Sequence, residues 1–170
     1  FGGLMKPTDT IDIGRGCVLK NRTVLAAMTN KQSHEDGTLS DDEINWLARR
    51  ADGGFAVTTT AAANVTEHGR GWEGEMGVWG DHQIPGLTKL ATRMNSTGTI
   101  SLVQLFHGGM RAPRALNGVR PISASENTES GMDGEYTREM SSKEVSQMIQ
   151  SFTDAAVRCE QAGFNGVELH

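Results

Sequence analysis

The chain has 170 residues, a net charge of −5 at pH 7 and a hydrophobic content of 36%, which is enough to bury a core and form one domain. No run approaches the roughly 18 uninterrupted apolar residues of a membrane span, and no stripe of basic residues suggests a surface for duplex nucleic acid. We therefore expect neither a membrane nor a nucleic acid among its partners.

The first predicted elements are a hairpin and a strand. Residues 10–20 predict a β-hairpin, because Ile11 and Ile13 alternate with polar residues before the turn at residues 14–16. An apolar and β-branched run then predicts the first strand of a sheet. The four strand-like runs along the chain are residues 23–27, 55–59, 100–105 and 166–169.

Three amphipathic helices are predicted between these runs. They cover residues 40–51, 85–95 and 142–162. Ser40 with Glu43, and Ser141 with Glu144, have the spacing of a capping box, and Gly163 is suited to end the last helix. Strands that alternate with helices predict an α/β fold with parallel strands and right-handed crossovers.

The loops are unequal in length. Those that follow the first three strands are long, at residues 28–39, 60–84 and 106–141, whereas those that precede the later strands are short. Long loops in a compact domain are usually functional or mobile. Since they all leave the carboxyl ends of strands, we expect an active site at that face of the sheet.

Four motifs occur in order, each beside a predicted strand. They are LKNRTVLAAMT at residues 19–29, GFAVTTTA at 54–61, VQLFHGG at 103–109 and GFNGVELH at 163–170. Together they resemble the old yellow enzyme family of FMN-dependent ene-reductases, and the resemblance spans essentially the whole chain.

The resemblance implies a (β/α)₈ TIM barrel of which strands 1–4 and three helices are present, with the hairpin as an N-terminal cap. Residues 1–170 would be the N-terminal half of one flavin-binding domain, since a full barrel needs about 250 residues. We expect the four strands to lie side by side in the order 1-2-3-4, with the chain truncated at the end of the fourth.

The resemblance also implies a flavin site. It puts Ala26, Ala27 and Met28 against the FMN ring, the hydroxyl of Thr29 near N5 and O4, and Gln104 at the O2/N3 edge. On the second strand the contact falls on Thr60 or on Ala61. Taken alone, Thr29 could cap its own backbone and Gln104 could be a solvated strand-end residue; the motifs favour the flavin roles.

His170 carries the chemistry that the resemblance implies. Together with Thr29 it is a candidate catalytic residue, and its side chain would donate a hydrogen bond to the oxygen of a substrate, which favours hydride attack on a conjugated double bond. His107 is expected to have a structural or supporting role. No group of histidines, cysteines and carboxylates has the spacing of a metal site.

The function implied is that of an NAD(P)H-dependent FMN oxidoreductase reducing small activated alkenes: enones, enals, nitroalkenes or dienoyl thioesters. Two alternatives stay open. The chain alone could be an inactive half-barrel that needs a complementary half, or it could belong to a flavin-free lyase or aldolase, although the strands carry neither a Schiff-base lysine nor a carboxylate cluster. The complete protein could form a homo-oligomer.

The cysteines and the N-terminus suggest where the protein resides. Cys17 and Cys159 lie far apart and in no redox spacing, so we expect two buried thiols in a reducing compartment. The first residues also lack the basic and apolar regions of a signal peptide. We therefore expect a cytoplasmic protein.

Overall fold

Residues 4–128 and 136–170 are described by a computed structural model of the chain. In chain order the strands are β1 (Ile11–Asp12), β2 (Val18–Leu19), β3 (Val24–Leu25), β4 (Val57–Asn64), β5 (Met76–Gly77), β6 (Ile100–Phe106), β7 (Ile122–Ser123), β8 (Arg138–Glu139) and β9 (Gly166–Leu169). The α-helices are α1 (Asp41–Asp52), α2 (Ile84–Asn95), α3 (Arg114–Asn117) and α4 (Ser142–Ala162).

The central sheet is parallel. Its strands follow the order β3-β4-β6-β9, and the short β5 pairs with the end of β4. The predicted order of the four strands is confirmed, because β6 lies between β4 and β9 and not at an edge. The antiparallel pair β1–β2 is the predicted hairpin.

The three long helices agree closely with their predicted ranges, and their ends are capped. The hydroxyl of Ser40 accepts from the backbone N–H of Glu43, and Ser141 and Glu144 form a reciprocal capping box. Gly163 ends α4 with φ 94°, a conformation in which glycine has no steric penalty. The predicted box at α1 is only half formed, because the Glu43 side chain turns into the interior.

Two strands differ from their predicted lengths. β3 is shorter than residues 23–27, and β4 starts later than residues 55–59 and runs on to Asn64. Alanine is depleted in strands, so residues 61–63 were assigned to a loop. All eight residues of β4 are buried, and this burial on both faces overrides the local preference.

The sheet separates two apolar clusters. The larger lies between the sheet and α1, α2 and α4, and includes Leu47, Leu90, Val103 and Cys159. The smaller lies against the opposite face, where Leu19 of the hairpin packs with residues at the starts of β4 and β6. The hairpin therefore covers the amino ends of the strands, as predicted.

Two smaller observations complete the fold. Both cysteines are free thiols; Cys159 is buried, but Cys17 is only half-buried, contrary to the expectation for that residue. Burial raises the pKa of the Cys159 thiol to about 12.

Among the helices of the described ranges, none is both long and apolar enough to cross a membrane.

Candidate active site

A cavity of about 510 Å³ opens at the carboxyl ends of the parallel strands, within the size range of small-molecule sites. It is lined by Ala27, Met28, Thr29, Ala62, Gly71, Trp72, Gln104, Phe106, Arg111 and His170. The predicted convergence of Met28, Thr29, Gln104 and His170 is thus observed, and Ala27 joins them. Ala26, also predicted to contact the cofactor, does not line this cavity.

Strand β4, which is the second of the four predicted strands, contributes to the cavity a residue other than Thr60 or Ala61, the two predicted from the sequence. The register of β4 on β6 shifts between Thr59 and Ala62, so that a bulge lies at residues 60–61. The Thr60 hydroxyl donates to the Ala61 carbonyl at 2.7 Å and accepts from the Gln104 N–H at 3.3 Å. Thr60 therefore sits behind the wall, and Ala62, the next residue past the bulge, lines the cavity.

The face of β6 that lines the cavity is extended by the neighbouring strand β9. Alternate residues of β6 are buried against the helices, whereas Gln104 and Phe106 are half-buried and face the cavity. Gln104 and Glu168 are Cα partners, and the Gln104 amide nitrogen donates to a Glu168 carboxylate oxygen at 2.6 Å. The His170 N–H donates to the Leu105 carbonyl at 3.0 Å, which extends the same ladder to the last residue.

Three aromatic rings form one wall. The Phe106 ring lies 5.2 Å from the His170 ring and 5.5 Å from Trp72, centroid to centroid. Pairs of rings at this spacing stabilise each other beyond their area of contact. The wall therefore holds the His170 imidazole at the edge of the cavity.

A buried carboxyl supports the loop that carries Trp72. Glu75 is 2% exposed and accepts from the N–H of Gly71 at 2.6 Å and from the N–H of Trp72. Its Oε1 has no hydrogen-bond partner among the described residues. Burial raises the pKa of Glu75 to about 8, against the opposing effect of the two N–H donors and of the Arg70 charge.

A second buried carboxyl supports the loop after β3. Glu43 of α1 is fully buried and accepts from Asn30 Nδ2 at 2.9 Å and from the Ser33 hydroxyl. Burial raises the pKa of Glu43, and these two donors oppose the shift. Asn30 directly follows Thr29, so this contact anchors the loop beside a predicted site residue.

The same loop packs tightly against the loop that carries Trp72. The Ser33 N–H donates to the Gly74 carbonyl at 3.1 Å, and a Cβ at Gly74 would lie 2.6 Å from the Lys31 carbonyl oxygen. Gly74 also has φ 72°, so both space and backbone conformation favour glycine there. The two loops therefore form a continuous rim.

His107 lies outside the main cavity. It lines a separate cavity of about 310 Å³ beside α4, and its Nδ1 accepts from the Gly109 N–H at 3.0 Å. Burial lowers the pKa of His107. The His107 ring packs closely against Gly69, since a Cβ added at Gly69 would lie 2.5 Å from the ring. This close packing is consistent with the structural role expected from the sequence.

The residues around the main cavity fit the flavin that the motifs imply. Ala27 and Ala62 are small enough to let a planar ring approach, and the Gln104 amide and Thr29 hydroxyl are hydrogen-bonding groups at its wall. In the described ranges, no group of three or more histidine, cysteine or carboxylate side chains could hold a metal ion.

Several residues around the site were missed in the sequence. They are Ala62, Trp72, Phe106, Arg111 and Glu168, together with the buried Glu43 and Glu75. Alternation on a strand could have indicated two of them, since Phe106 is two residues from Gln104 and Glu168 two from His170. Ala62 lies on β4 just past the bulge, which interrupts the alternation, and the others lie on loops or helices, where no periodic pattern indicates the cavity.

Comparison with known proteins gives one family. The model of the NADH:flavin oxidoreductase / NADH oxidase family matches residues 4–170. An NADH:acrylate oxidoreductase of Vibrio harveyi is 37% identical over 163 residues, which are 95% of this chain and 16% of that protein. A probable NADH-dependent flavin oxidoreductase of Bacillus subtilis is 34% identical over 159 residues, 91% of this chain and 41% of that protein.

Solved structures agree on the fold. A 2-naphthoyl-CoA reductase in complex with 2-naphthoyl-CoA superimposes with a TM-score of 0.90 at 28% identity, over 96% of this chain and 26% of that one. An old yellow enzyme homologue from Zymomonas mobilis superimposes with a TM-score of 0.88 at 24% identity, over 96% of this chain and 48% of that one. The chain thus spans less than half the length of each of these four proteins.

Proposed function

The chain belongs to the NADH:flavin oxidoreductase family, and on that premise we propose that the complete protein uses FMN and NAD(P)H to reduce an activated C=C bond. The observation that carries the proposal is the meeting of Thr29, Gln104 and His170 around one cavity at the carboxyl ends of three strands of the parallel sheet, β3, β6 and β9. Its substrates would be small enones, enals, nitroalkenes or unsaturated carboxyl derivatives.

Each of these residues has a distinct task under the proposal. When bound, FMN supplies the hydride chemistry between the nicotinamide and the alkene. Gln104 would hold the pyrimidine edge of the ring, and Thr29 would donate a hydrogen bond beside the reactive end. His170 would donate to the carbonyl or nitro oxygen of the substrate, which stabilises the negative charge that develops there during reduction.

We propose in addition that residues 1–170 form the first half of one barrel domain. β3 and β9 are the two ends of the order β3-β4-β6-β9. The neighbouring apolar surface is open: Ile149 on α4 is 64% exposed and Leu169 on β9 is 71% exposed. A further helix and strand of the complete protein would cover these side chains, as burial of apolar surface favours.

The test is the purified complete protein. We expect the visible absorption of bound flavin, and oxidation of NADPH or NADH that depends on added 2-cyclohexenone, a nitroalkene or acrylate. The product in which the C=C bond is saturated and the carbonyl, nitro or carboxylate group is retained identifies the reaction. A colourless protein that still converts a carbonyl substrate without NAD(P)H would instead support a flavin-free lyase or aldolase.

A further inference from the structure

The pair formed by Gln104 and Glu168 links two neighbouring strands at the inner wall of the cavity. The residues are 64 positions apart in sequence and are Cα partners of β6 and β9, so their side chains leave the same face of the sheet. Gln104 Nε2 donates to Glu168 Oε1 at 2.6 Å, a short distance typical of a hydrogen bond to a charged group.

This contact decides which end of the amide faces the cavity. An ionised carboxylate only accepts hydrogen bonds, whereas a carboxamide has a donor end and an acceptor end. The NH₂ group of Gln104 must therefore point toward Glu168. Its Oε1 accepts no hydrogen bond within the described part of the chain, although Gln104 lines the cavity.

The backbone around Gln104 is held by hydrogen bonds to the neighbouring strands. Its N–H donates to the Thr60 hydroxyl in the bulge of β4, so the strand is held on one side by β4 and on the other by β9. These contacts fix the backbone and leave the side-chain torsions, including rotation of the amide, to be set by other groups. Within the described residues, the hydrogen-bond partner of the Gln104 amide is Glu168.

We propose that Glu168 is a positioning residue that fixes the Gln104 amide with its acceptor oxygen toward the cavity, so that the site selects a ligand bearing an N–H donor at that edge. The inference rests on the proposed function, under which this donor is N3–H of FMN. Glu168 acts through Gln104 and does not itself need to touch the flavin.

The prediction is tested with a flavin that lacks the donor. Dissociation constants of FMN and of 3-methyl-FMN, in which N3 carries no hydrogen, are measured with the apo form of the complete protein. We expect the wild type to prefer FMN roughly tenfold, the size of one hydrogen bond. In Glu168→Gln either amide orientation can pair, so the preference should fall to about twofold.

Two further variants sharpen the test. The exchange Gln104→Glu with Glu168→Gln keeps the hydrogen bond and still presents an acceptor oxygen, so it should restore most of the preference for FMN. Glu160→Gln removes an exposed carboxylate from α4 and serves as the matched control; it should keep the wild-type preference.

The outcomes separate the two proposals. A wild type that binds no flavin overturns the proposed function, and this inference with it. FMN binding in which Glu168→Gln keeps the full tenfold preference leaves the function standing and overturns the role of Glu168. If Glu168→Gln does not fold, the exchange variant decides, because FMN binding without a preference over 3-methyl-FMN contradicts the inference.

Discussion

The imidazole of His170 lies edge-on to the ring of Phe106, with the centroids 5.2 Å apart and the planes at 80°. The His170 backbone is held as well, through its N–H to the Leu105 carbonyl. Because both the backbone and the ring are restrained, the imidazole is held at the edge of the cavity. Under the proposed function it would be a pre-organised donor to a developing negative charge, the kind of group that contributes strongly to catalysis.

We expect His170→Ala to slow reduction of the alkene more than reduction of the flavin. Loss of one donor to a developing oxyanion costs on the order of 100-fold in rate, and the substrate oxygen is present only in the second half-reaction. Stopped-flow measurement of each half-reaction in the complete protein checks this, together with the affinity for a phenol. His34→Ala, an exposed histidine of a nearby loop, is the control; equal slowing of both halves by His170→Ala would contradict the assigned role.

Thr29→Ala should change the reduction potential of the flavin while FMN binding stays largely intact. Thr29 lines the cavity, so under the proposed function the substitution would remove one hydrogen bond to the flavin and little contact area. Thr29→Ser keeps the hydroxyl and should keep the potential. Spectroelectrochemical titration of the three proteins measures the effect, and a potential that is the same in all three would show that Thr29 does not contact the ring.

Glu75 should make stability depend on pH. Its pKa is raised from 4.5 to about 8 in the folded state, so the unfolded chain releases a proton between these values that the folded chain retains. Stability should therefore fall as pH rises from about 4.5 to 8 and level off above. Glu75→Gln removes this loss and should stabilise the protein at pH 9 by about 3 to 5 kcal/mol.

Melting temperatures of the complete protein at pH 4 and pH 9 test the Glu75 prediction. The gain from Glu75→Gln should be near zero at the lower pH and large at the higher one. Glu73→Gln alters an exposed carboxylate two residues away and should change neither value. A gain that is the same at both pH values would mean that the Glu75 carboxyl is not protonated in the folded state.

Glu43→Ala should loosen the loop that follows β3. The substitution removes the acceptor of Asn30 Nδ2 and of the Ser33 hydroxyl, and buried donors without a partner cost about 1–3 kcal/mol each. Trypsin should then cleave after the exposed Lys31 faster than in the wild type. Asp42→Ala changes the exposed residue that precedes Glu43 on α1; it is the control and should leave the cleavage rate unchanged.

Ile149→Asp should have opposite effects in the complete protein and in residues 1–170 expressed alone. If the barrel continues past α4, Ile149 is buried there and the charge destabilises the complete protein. In the shorter chain Ile149 is 64% exposed, so the charge should reduce self-association measured by analytical ultracentrifugation. Ser146→Asp, on the same helix, is the control; improved stability in both forms would contradict the half-barrel arrangement.

Much of the fold could be predicted from local pattern. Helices α1, α2 and α4 were predicted to within one or two residues, because apolar periodicity and capping residues act over a few positions. The alternation of strands and helices predicted parallel strands, and their order followed from the barrel that the motifs imply. The lengths of β3 and β4 could not be predicted from local pattern. Burial by distant segments extends β4 beyond its predicted end, whereas β3 is shorter than predicted.

The site divides in the same way. The sequence by itself determined that Gln104 and His170 stand at the carboxyl ends of strands and Thr29 in the loop that follows one, and parallel pairing then brings these ends together. Only the tertiary structure decided that the bulge at residues 60–61 turns Ala62 to the cavity, and that Glu168 pairs with Gln104. Register and burial are set by contacts between residues far apart in the chain, so no local pattern encodes them. A glutamate in a sequence is expected at the surface, and only packing in the tertiary structure buries the carboxyl groups of Glu43 and Glu75.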